Sequence, residues 1–418
     1  MCGSYLQLTY MYAPSWGYGG PVRLMFDYAR WMNPTFKVAV FSGDLHHDFT
    51  RLKQDEPRRD AIPIERNRIY FSRLARRSIY LVSPRMLIGA ARFIRQTHQP
   101  VIAHIAEFRG LVPLYALLLK LIFRDRVLLV HSAFGMLHDK PGRRRKIYDL
   151  LFMRTFLKNV ALRLAQNRHE YEAYERVCQA YTVRNKGTTV LLPLHIDGAP
   201  SQDDRFTPAG KDKKAVAEVR RQYNVPEDAL VFIFLGRLHP EKGIVRMIDA
   251  YIEFSREFAG TSHSKTQMLI VGRDDGFKSQ IETYISEKQI QDRVRIVTGV
   301  YETRFDYYFL ADIFLGFPTI CEETMLASIE ALACGTPIIV SREADIPFVE
   351  EEGAGRVIDF HLTAAVEAMA ECAQNLATLQ VKARATVDRH FQGGPASTNL
   401  VQLFQQLVSR PMAAQSKS

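Results

Sequence analysis

Cys321-Glu-Glu-Thr-Met-Leu-Ala-Ser-Ile-Glu-Ala-Leu-Ala-Cys-Gly-Thr-Pro337, followed by Ile338-Ile339-Val340, decides how this chain is read. The run from Glu323 to Ala333 has the composition of a helix, and Gly335-Thr336-Pro337 stops it. The apolar triplet after the turn reads as a strand buried on both faces, the signature of a parallel sheet covered by helices. Two carboxylates, Glu322 and Glu330, stand eight residues apart across the helix start. A helix N-terminus presents free N–H groups and partial positive charge, which suits a phosphate. Carboxylates beside it accept hydrogen bonds from neutral hydroxyls. A small molecule carrying sugar, ribose and phosphate at that separation is a nucleotide sugar. Acidic residues early in a helix also occur simply because they favour the macrodipole, so other segments must carry the choice.

Outward from this segment, strand-like apolar runs alternate with amphipathic stretches. The strands are Tyr5 to Met11, Lys37 to Phe41, Val101 to Ile105, Val127 to Val130 and Val190 to Leu192, then Leu230 to Leu235, Gln267 to Val271, Val294 to Val297, Ile313 to Phe317 and Ile338 to Val340. Helical periodicity runs over Val22 to Met32, Val216 to Tyr223, Ile244 to Phe258 and Glu323 to Ala333. Such alternation predicts an α/β chain with doubly wound parallel sheets, which bind ligands at the carboxyl ends of strands. The polar stretch Asp197 to Lys214 reads as a linker between two Rossmann-like domains facing a cleft. The expected division is 1–198, 199–388, and a C-terminal helix and tail over 389–418 returning toward the first domain. Neither G-x-G-x-x-G nor a P-loop is present, which argues against dinucleotide enzymes and P-loop NTPases.

The 418 residues suffice for about two domains, and 47% hydrophobic with 24% charged residues is ordinary for a globular chain. Five cysteines, Cys2, Cys178, Cys321, Cys334 and Cys372, lack metal or disulfide spacing, as expected in a reducing compartment. The first 20 residues lack signal-peptide features. The longest apolar stretch, Gly110 to Phe123, is too short to span a membrane and reads as a core helix. A cytoplasmic location is therefore expected. The net charge of +10 is unevenly distributed. Residues 1–200 hold 31 Lys+Arg against 15 Asp+Glu, and the remainder 24 against 30. Basic clusters at Arg58-Arg59, Arg66 to Arg77 and Arg143 to Lys146 could meet an anionic partner. No nucleic-acid motif accompanies them.

Two more segments carry chemistry. In Val231-Phe-Ile-Phe-Leu-Gly-Arg-Leu-His-Pro-Glu-Lys-Gly243, a buried strand ends at Gly236, and Arg237 and Lys242 follow around a turn. An Arg fork and a Lys point charge leaving a strand end can clamp a diphosphate. In Pro14-Ser-Trp-Gly-Tyr-Gly-Gly-Pro-Val-Arg23, the glycines permit close backbone approach to a ligand, and Pro21 opens a helix. No Asp-x-Asp pattern stands out; Asp203-Asp204 and Asp274-Asp275 read as loop charges.

The order Gly-Gly-Pro near residue 20, Gly-Arg-Leu-His-Pro-Glu-Lys-Gly at 236–243, and Glu-x₇-Glu-Ala-Leu-Ala-Cys-Gly-Thr-Pro at 322–337 resembles retaining glycosyltransferases of the GT-B fold, family-four type. The resemblance extends over nearly the whole chain, including Ala311-Asp312-Ile313-Phe314. It implies that Glu330 binds the ribose and Glu322 the hydroxyls of the transferred sugar. Arg237 and Lys242 would hold the diphosphate, helped by the backbone at Thr324, Met325 and Leu326, with the Gly19-Gly20 loop closing from the first domain. The first domain would bind the acceptor. It further implies retention of anomeric configuration and a hexose donor, with no cofactor beyond the nucleotide-diphosphate sugar and no metal. The acceptor would be a glycan or lipid-linked molecule of cell-surface polysaccharide or lipopolysaccharide synthesis.

Three departures from the family pattern bear on the site. The family carries His-Gly or His-Asp after the strand matching Val127 to Val130, where this chain has Val130-His-Ser-Ala-Phe-Gly135. Aligning on the strand puts His131 at the active position; aligning on Gly135 puts Phe134 there. Pro193-Leu-His-Ile-Asp197 replaces Pro-Asn-Gly-Val-Asp, and Met325 stands where Gly is common, narrowing the sugar pocket. His104-Ile-Ala-Glu-Phe-Arg109 ends a strand at the cleft, where Glu107 and Arg109 could touch acceptor or pair structurally. Residues Arg143 to Leu164 read as helical, with Arg144, Lys158 and Arg163 among Leu150, Leu151, Phe152, Phe156 and Leu157. This mixture suits either peripheral docking to an anionic membrane face or a buried helix with a basic rim. Two other functions fit the architecture: a nucleotide-sugar epimerase, which would lack the Arg-x₄-Lys and Glu-x₇-Glu pairing, and a catalytically silent scaffold or glycan-binding subunit.

Overall fold

A computed structural model describes residues 3–16, 19–46, 50–52, 62–70, 82–137, 143–183, 187–196, 212–261, 265–300, 303–322 and 325–409, with side chains from 146 onward in the 143–183 segment. The chain divides into two compact units, residues 1–193 with 395–418, and residues 194–394. The expected linker falls mostly outside the described residues.

The first unit is built on seven strands: β1 (Ser4–Thr9), β2 (Lys37–Gly43), β3 (Ile64–Asn67), β4 (Val101–Ile105), β5 (Val127–Ser132), β6 (Val160–Ala165) and β7 (Thr188–Leu191). They form one sheet in the order β3-β2-β1-β4-β5-β6-β7, and every pairing is parallel. β1, β4 and β5 are buried along their whole length, so both sheet faces are covered. The helix Gly393–Ser409 packs here, with Phe404 5.7 Å from the Tyr5 ring and edge-on to His104.

The second unit holds β8 (Leu230–Leu235), β9 (Thr266–Val271), β10 (Val294–Val297), β11 (Ile313–Gly316), β12 (Ile338–Ser341) and β13 (Gly355–Ile358), ordered β10-β9-β8-β11-β12-β13 and again all parallel. The helix Ile244–Glu257 buries Ile244, Met247, Ile248, Tyr251 and Phe254, the helical spacing of one face. Phe232 of β8 meets Tyr251 and Phe254 edge-to-face at 6.1 and 5.2 Å. In each unit the strand order reverses once, between β1 and β4 and between β8 and β11. Ligands of doubly wound sheets bind at such reversals.

The structure corrects the reading of Arg143 to Leu164 as helical throughout. The helix ends at Asn159 and Val160–Ala165 is the strand β6, which buries Arg163. Arg163 donates to Thr189 and to the Gly187 carbonyl, so it is no part of a basic rim. Leu111–Phe123, read as a core helix, buries only one face and leaves Leu118, Leu121 and Ile122 exposed. β3 and β13 are further strands that the sequence reading lacked.

Candidate functional site

In the second unit the residues after β8 and β11 converge at the strand-order reversal. β8 runs out at Leu235, and the chain turns through Arg237 to the short 3-10 turn Pro240–Lys242. Gly243 then adopts φ 67°, where a Cβ would lie 1.8 Å from the Phe317 carbonyl oxygen. Only glycine lets the backbone pass that close. The same turn is stitched to the segment after β11 by Thr319 N donating to Glu241 O at 2.8 Å and by Arg246 Nη1 reaching Pro318 O at 3.4 Å. From the other side, Glu322 N donates to Glu343 O at 2.8 Å.

This scaffold brings Lys242 and Glu322 together. Lys242 Nζ forms an ion pair with Glu322 Oε1, and both side chains are largely enclosed. Arg237 is more open and donates through Nη1 to Asp275 Oδ2 at 2.5 Å, with Arg273 3.6 Å from the other oxygen. Asp275 belongs to the loop after β9, where Asp274 accepts from the backbone N–H of Gly276, Phe277 and Lys278. Those backbone bonds hold the Asp274 carboxyl below its usual range. The pair read as loop charges thus anchors Arg237 and begins the helix Lys278–Glu287.

Glu330 lies on the helix Leu326–Ala333 and faces a different set of partners. Its carboxylate takes Arg304 Nη2 on Oε1 at 2.8 Å, Arg304 Nε on Oε2 at 3.1 Å, and Tyr308 Oη on Oε2 at 3.1 Å. Arg304 and Tyr308 are buried on the helix Arg304–Leu310, one turn apart. Burial and the Glu330 charge push the Tyr308 hydroxyl well above its ordinary pKa, so it remains a donor. The helix carrying Glu330 has no side-chain N-cap. Met325 precedes it, buried, with its sulfur where a Cβ on Gly316 would approach to 3.1 Å. Met325 therefore closes over the end of β11, and Leu326 opens the helix. Thr324 lies outside the described residues.

In the first unit, His131 ends β5 wholly buried. Nδ1 pairs with Tyr174 Oη at 2.9 Å and Nε2 with the Glu107 carbonyl at 3.2 Å, while Phe156 meets the ring edge-on. Burial pushes its pKa down to about 3, so it is neutral and both ring nitrogens are engaged. The ring of His131, the residue aligned with the family's active-site position, is thus held between Tyr174 and the Glu107 carbonyl. Phe134 is also buried, with φ 47°. His104 sits similarly, between Tyr5 at 2.7 Å and Ser132 at 2.8 Å, and is likewise pushed down to about 3 by burial and by His131. Glu107 accepts from Thr9 Oγ1 at 2.9 Å and Tyr10 N at 2.7 Å, and burial raises its pKa. Arg109 is held by Asp149 through a two-pronged bond at 2.9 and 3.0 Å, a structural pairing. Gly19, at φ 97°, precedes the helix Gly20–Met32, and the space around its α-carbon is open.

The family model for glycosyl transferases group 1 matches residues 216–385, which contain this whole cluster. The match to the group 1 glycosyltransferase model thus falls within the second unit. The chain is 33% identical over 165 residues to a D-inositol 3-phosphate glycosyltransferase 2 from Catenulispora acidiphila, covering 38% of this chain and 37% of that one. It is 25% identical over 199 residues to an alpha-monoglucosyldiacylglycerol synthase from Acholeplasma laidlawii, covering 47% and 45%. The chain spans 37%, 59% and 42% of the length of three D-inositol 3-phosphate glycosyltransferases it resembles. In fold it is similar to a sucrose-phosphate synthase from Thermosynechococcus elongatus (TM-score 0.72, 19% identity, 98% and 100% of the two chains). It is also similar to Anabaena HepE in complex with UDP and glucose (TM-score 0.71, 14% identity, 96% and 99%). The fold is GT-B.

Of the residues that meet in this cluster, the sequence alone singles out Arg237, Lys242, Glu322 and Glu330, whereas Arg304, Tyr308 and Asp275 enter it only through the structure. An Arg and a Tyr four residues apart on a short apolar helix were the available signal for the first two. Nothing local points them at residue 330.

Proposed function

We propose that this chain transfers a hexose from a nucleotide-diphosphate sugar to a glycan or lipid-linked acceptor, with retention of configuration, in building a cell-surface polysaccharide or lipopolysaccharide. The observation that carries the reading is the Lys242–Glu322 ion pair beside an uncapped helix start, with Glu330 fixed one helix face away. A sugar diphosphate matches each group. Its phosphates take Lys242 and Arg237, its hexose hydroxyls donate to Glu322, and its ribose hydroxyls meet Glu330. Breaking the sugar–phosphate bond leaves negative charge on the diphosphate, and Arg237 and Lys242 supply the compensating charge without a proton transfer. With His131 enclosed, the first unit contributes shape and acceptor contacts in this reading rather than an imidazole.

A thermal-shift panel of nucleoside diphosphates and their sugars tests it. The sugar nucleotide should raise the melting temperature of the wild type, since a ligand of the folded state stabilises it. Glu322→Ala should remove the advantage of the sugar nucleotide over the bare diphosphate. A chain stabilised by no member of the panel, and releasing no hexose from any, would be a silent scaffold. Release with inverted configuration would overturn retention alone.

A further inference from the structure

Two crossover helices of the first unit, Leu111–Phe123 between β4 and β5 and the helical run 143–159 between β5 and β6, lie on the same side of the sheet. Both connect neighbouring strands in the same direction, and right-handed crossovers then stack on one face. They are tied where they start: Tyr148 Oη donates to Gly110 O at 2.9 Å, and Arg109 grips Asp149. Their inner faces bury Val112, Ala116, Leu119, Met153, Phe156 and Leu157. The outer faces are not what a solvated helix presents. Leu150 is 81%, Ile122 62% and Leu151 61% exposed, with Ile147, Leu121 and Leu118 exposed beside them.

Lys146, Arg154 and Lys158 are exposed on the same outer stripe. Asp149, the one acid within either helix, is buried and paired. Among the described residues none of these three cations has a carboxylate partner, while past the end of the first helix Arg124 and Asp125 are exposed side by side. Apolar side chains standing in water among unpaired cations are the chemistry of an interface with anionic lipid. A second copy of this face would bring like charges together. No helix among the described residues is long and apolar enough to cross a membrane.

We propose that this outer face docks on an anionic bilayer, seating Ile147, Leu150, Leu151, Leu121 and Ile122 at the headgroup boundary with Lys146, Arg154 and Lys158 against the lipid phosphates. The assignment stands on a surface remote from the Lys242–Glu322 cluster in sequence and does not depend on what sugar is moved.

The test is co-sedimentation of the full chain with vesicles of phosphatidylcholine alone, and of phosphatidylcholine with roughly one-third phosphatidylglycerol. The wild type should pellet with the anionic vesicles and be released as salt rises. Each cation near such a surface is worth about 1 kcal/mol, so Arg154→Gln with Lys158→Gln should weaken that binding about thirtyfold. Leu150→Glu with Leu151→Glu should abolish it, while Val381→Glu, an exposed apolar residue of the second unit, should leave it unchanged. Donor-induced thermal shifts should be the same in all variants, which separates this outcome from failure of the proposed activity. Equal pelleting with both vesicle types, or none, overturns the proposal. So does a dimer in solution that Leu150→Glu with Leu151→Glu dissociates, since the face would then belong to a second copy.

Discussion

Arg304→Met is expected to destabilise the second unit by about 3 kcal/mol, because it removes the cation from a buried pair and strands the Glu330 carboxylate. The Arg304 and Glu330 side chains are 9% and 16% exposed, and the guanidinium makes contacts at 2.8, 3.1 and 3.3 Å. Losing one partner of a buried pair costs roughly 3–5 kcal/mol. The lower end applies here because Glu330 keeps Tyr308 and some access to water. Glu330→Leu strands Arg304 and should cost about as much. The double variant leaves no uncompensated charge, so it should fall at least about 2 kcal/mol short of the sum of the singles. Two units make bulk unfolding a poor readout. Native-state hydrogen exchange at the β11 and β12 amides reads the opening of this unit directly. A loss under about 1 kcal/mol for Arg304→Met, or strict additivity in the double variant, would show the contact to be incidental.

Other expected outcomes are more direct. Lys242→Met should lower kcat for hexose transfer by roughly 10²–10³ with the fold intact, as loss of one charge-stabilising donor does; unchanged kcat would remove Lys242 from the reaction. His104 and His131 are neutral when folded and titrate near 3, whereas the unfolded chain binds those protons near 6.5. Their stabilising contribution is present above pH 6.5 and lost as pH falls toward 3. As pH falls from 7.5 to 5.5 the two together should cost the first unit on the order of a few kcal/mol, and a first unit equally stable at both would contradict their burial as neutral rings. Gly243→Ala should destabilise the second unit by about 1–3 kcal/mol through its left-handed φ alone, with more from the contact with Phe317 O. Exchange protection of β8 and β11 equal to wild type would deny that close approach.

What the sequence revealed follows from how each signal is carried. β8, Leu-Val-Phe-Ile-Phe-Leu, is an unbroken apolar run and could be read directly. β3, Ile-Glu-Arg-Asn, alternates too weakly and is too short. β6 follows helical residues with no Gly or Pro between, and its buried Arg163 resembles a surface charge until Gly187 and Thr189 are seen to receive it. Lys242 and Glu322 were legible because each follows a recognisable strand end, although their meeting depends on the backbone stitch between 241 and 319. Arg304 and Tyr308 reach Glu330 from 26 and 22 positions away, a tertiary fact with no local signature. For His131 the sequence shows the strand end but not its surroundings, and the Phe108, Phe156 and Tyr174 rings that pack around it come from three other segments.

The mutual neutralisation of Lys242 and Glu322 has a selective effect under the proposed activity. A lone anion that draws the ammonium away leaves the acid without its counter-charge, and a lone carbohydrate meets an acid already satisfied. A molecule carrying both moieties replaces both halves of the pair at once. Discrimination then arises from cooperation between two weak attractions, and fragments of the substrate should compete far less well than their summed contacts would suggest.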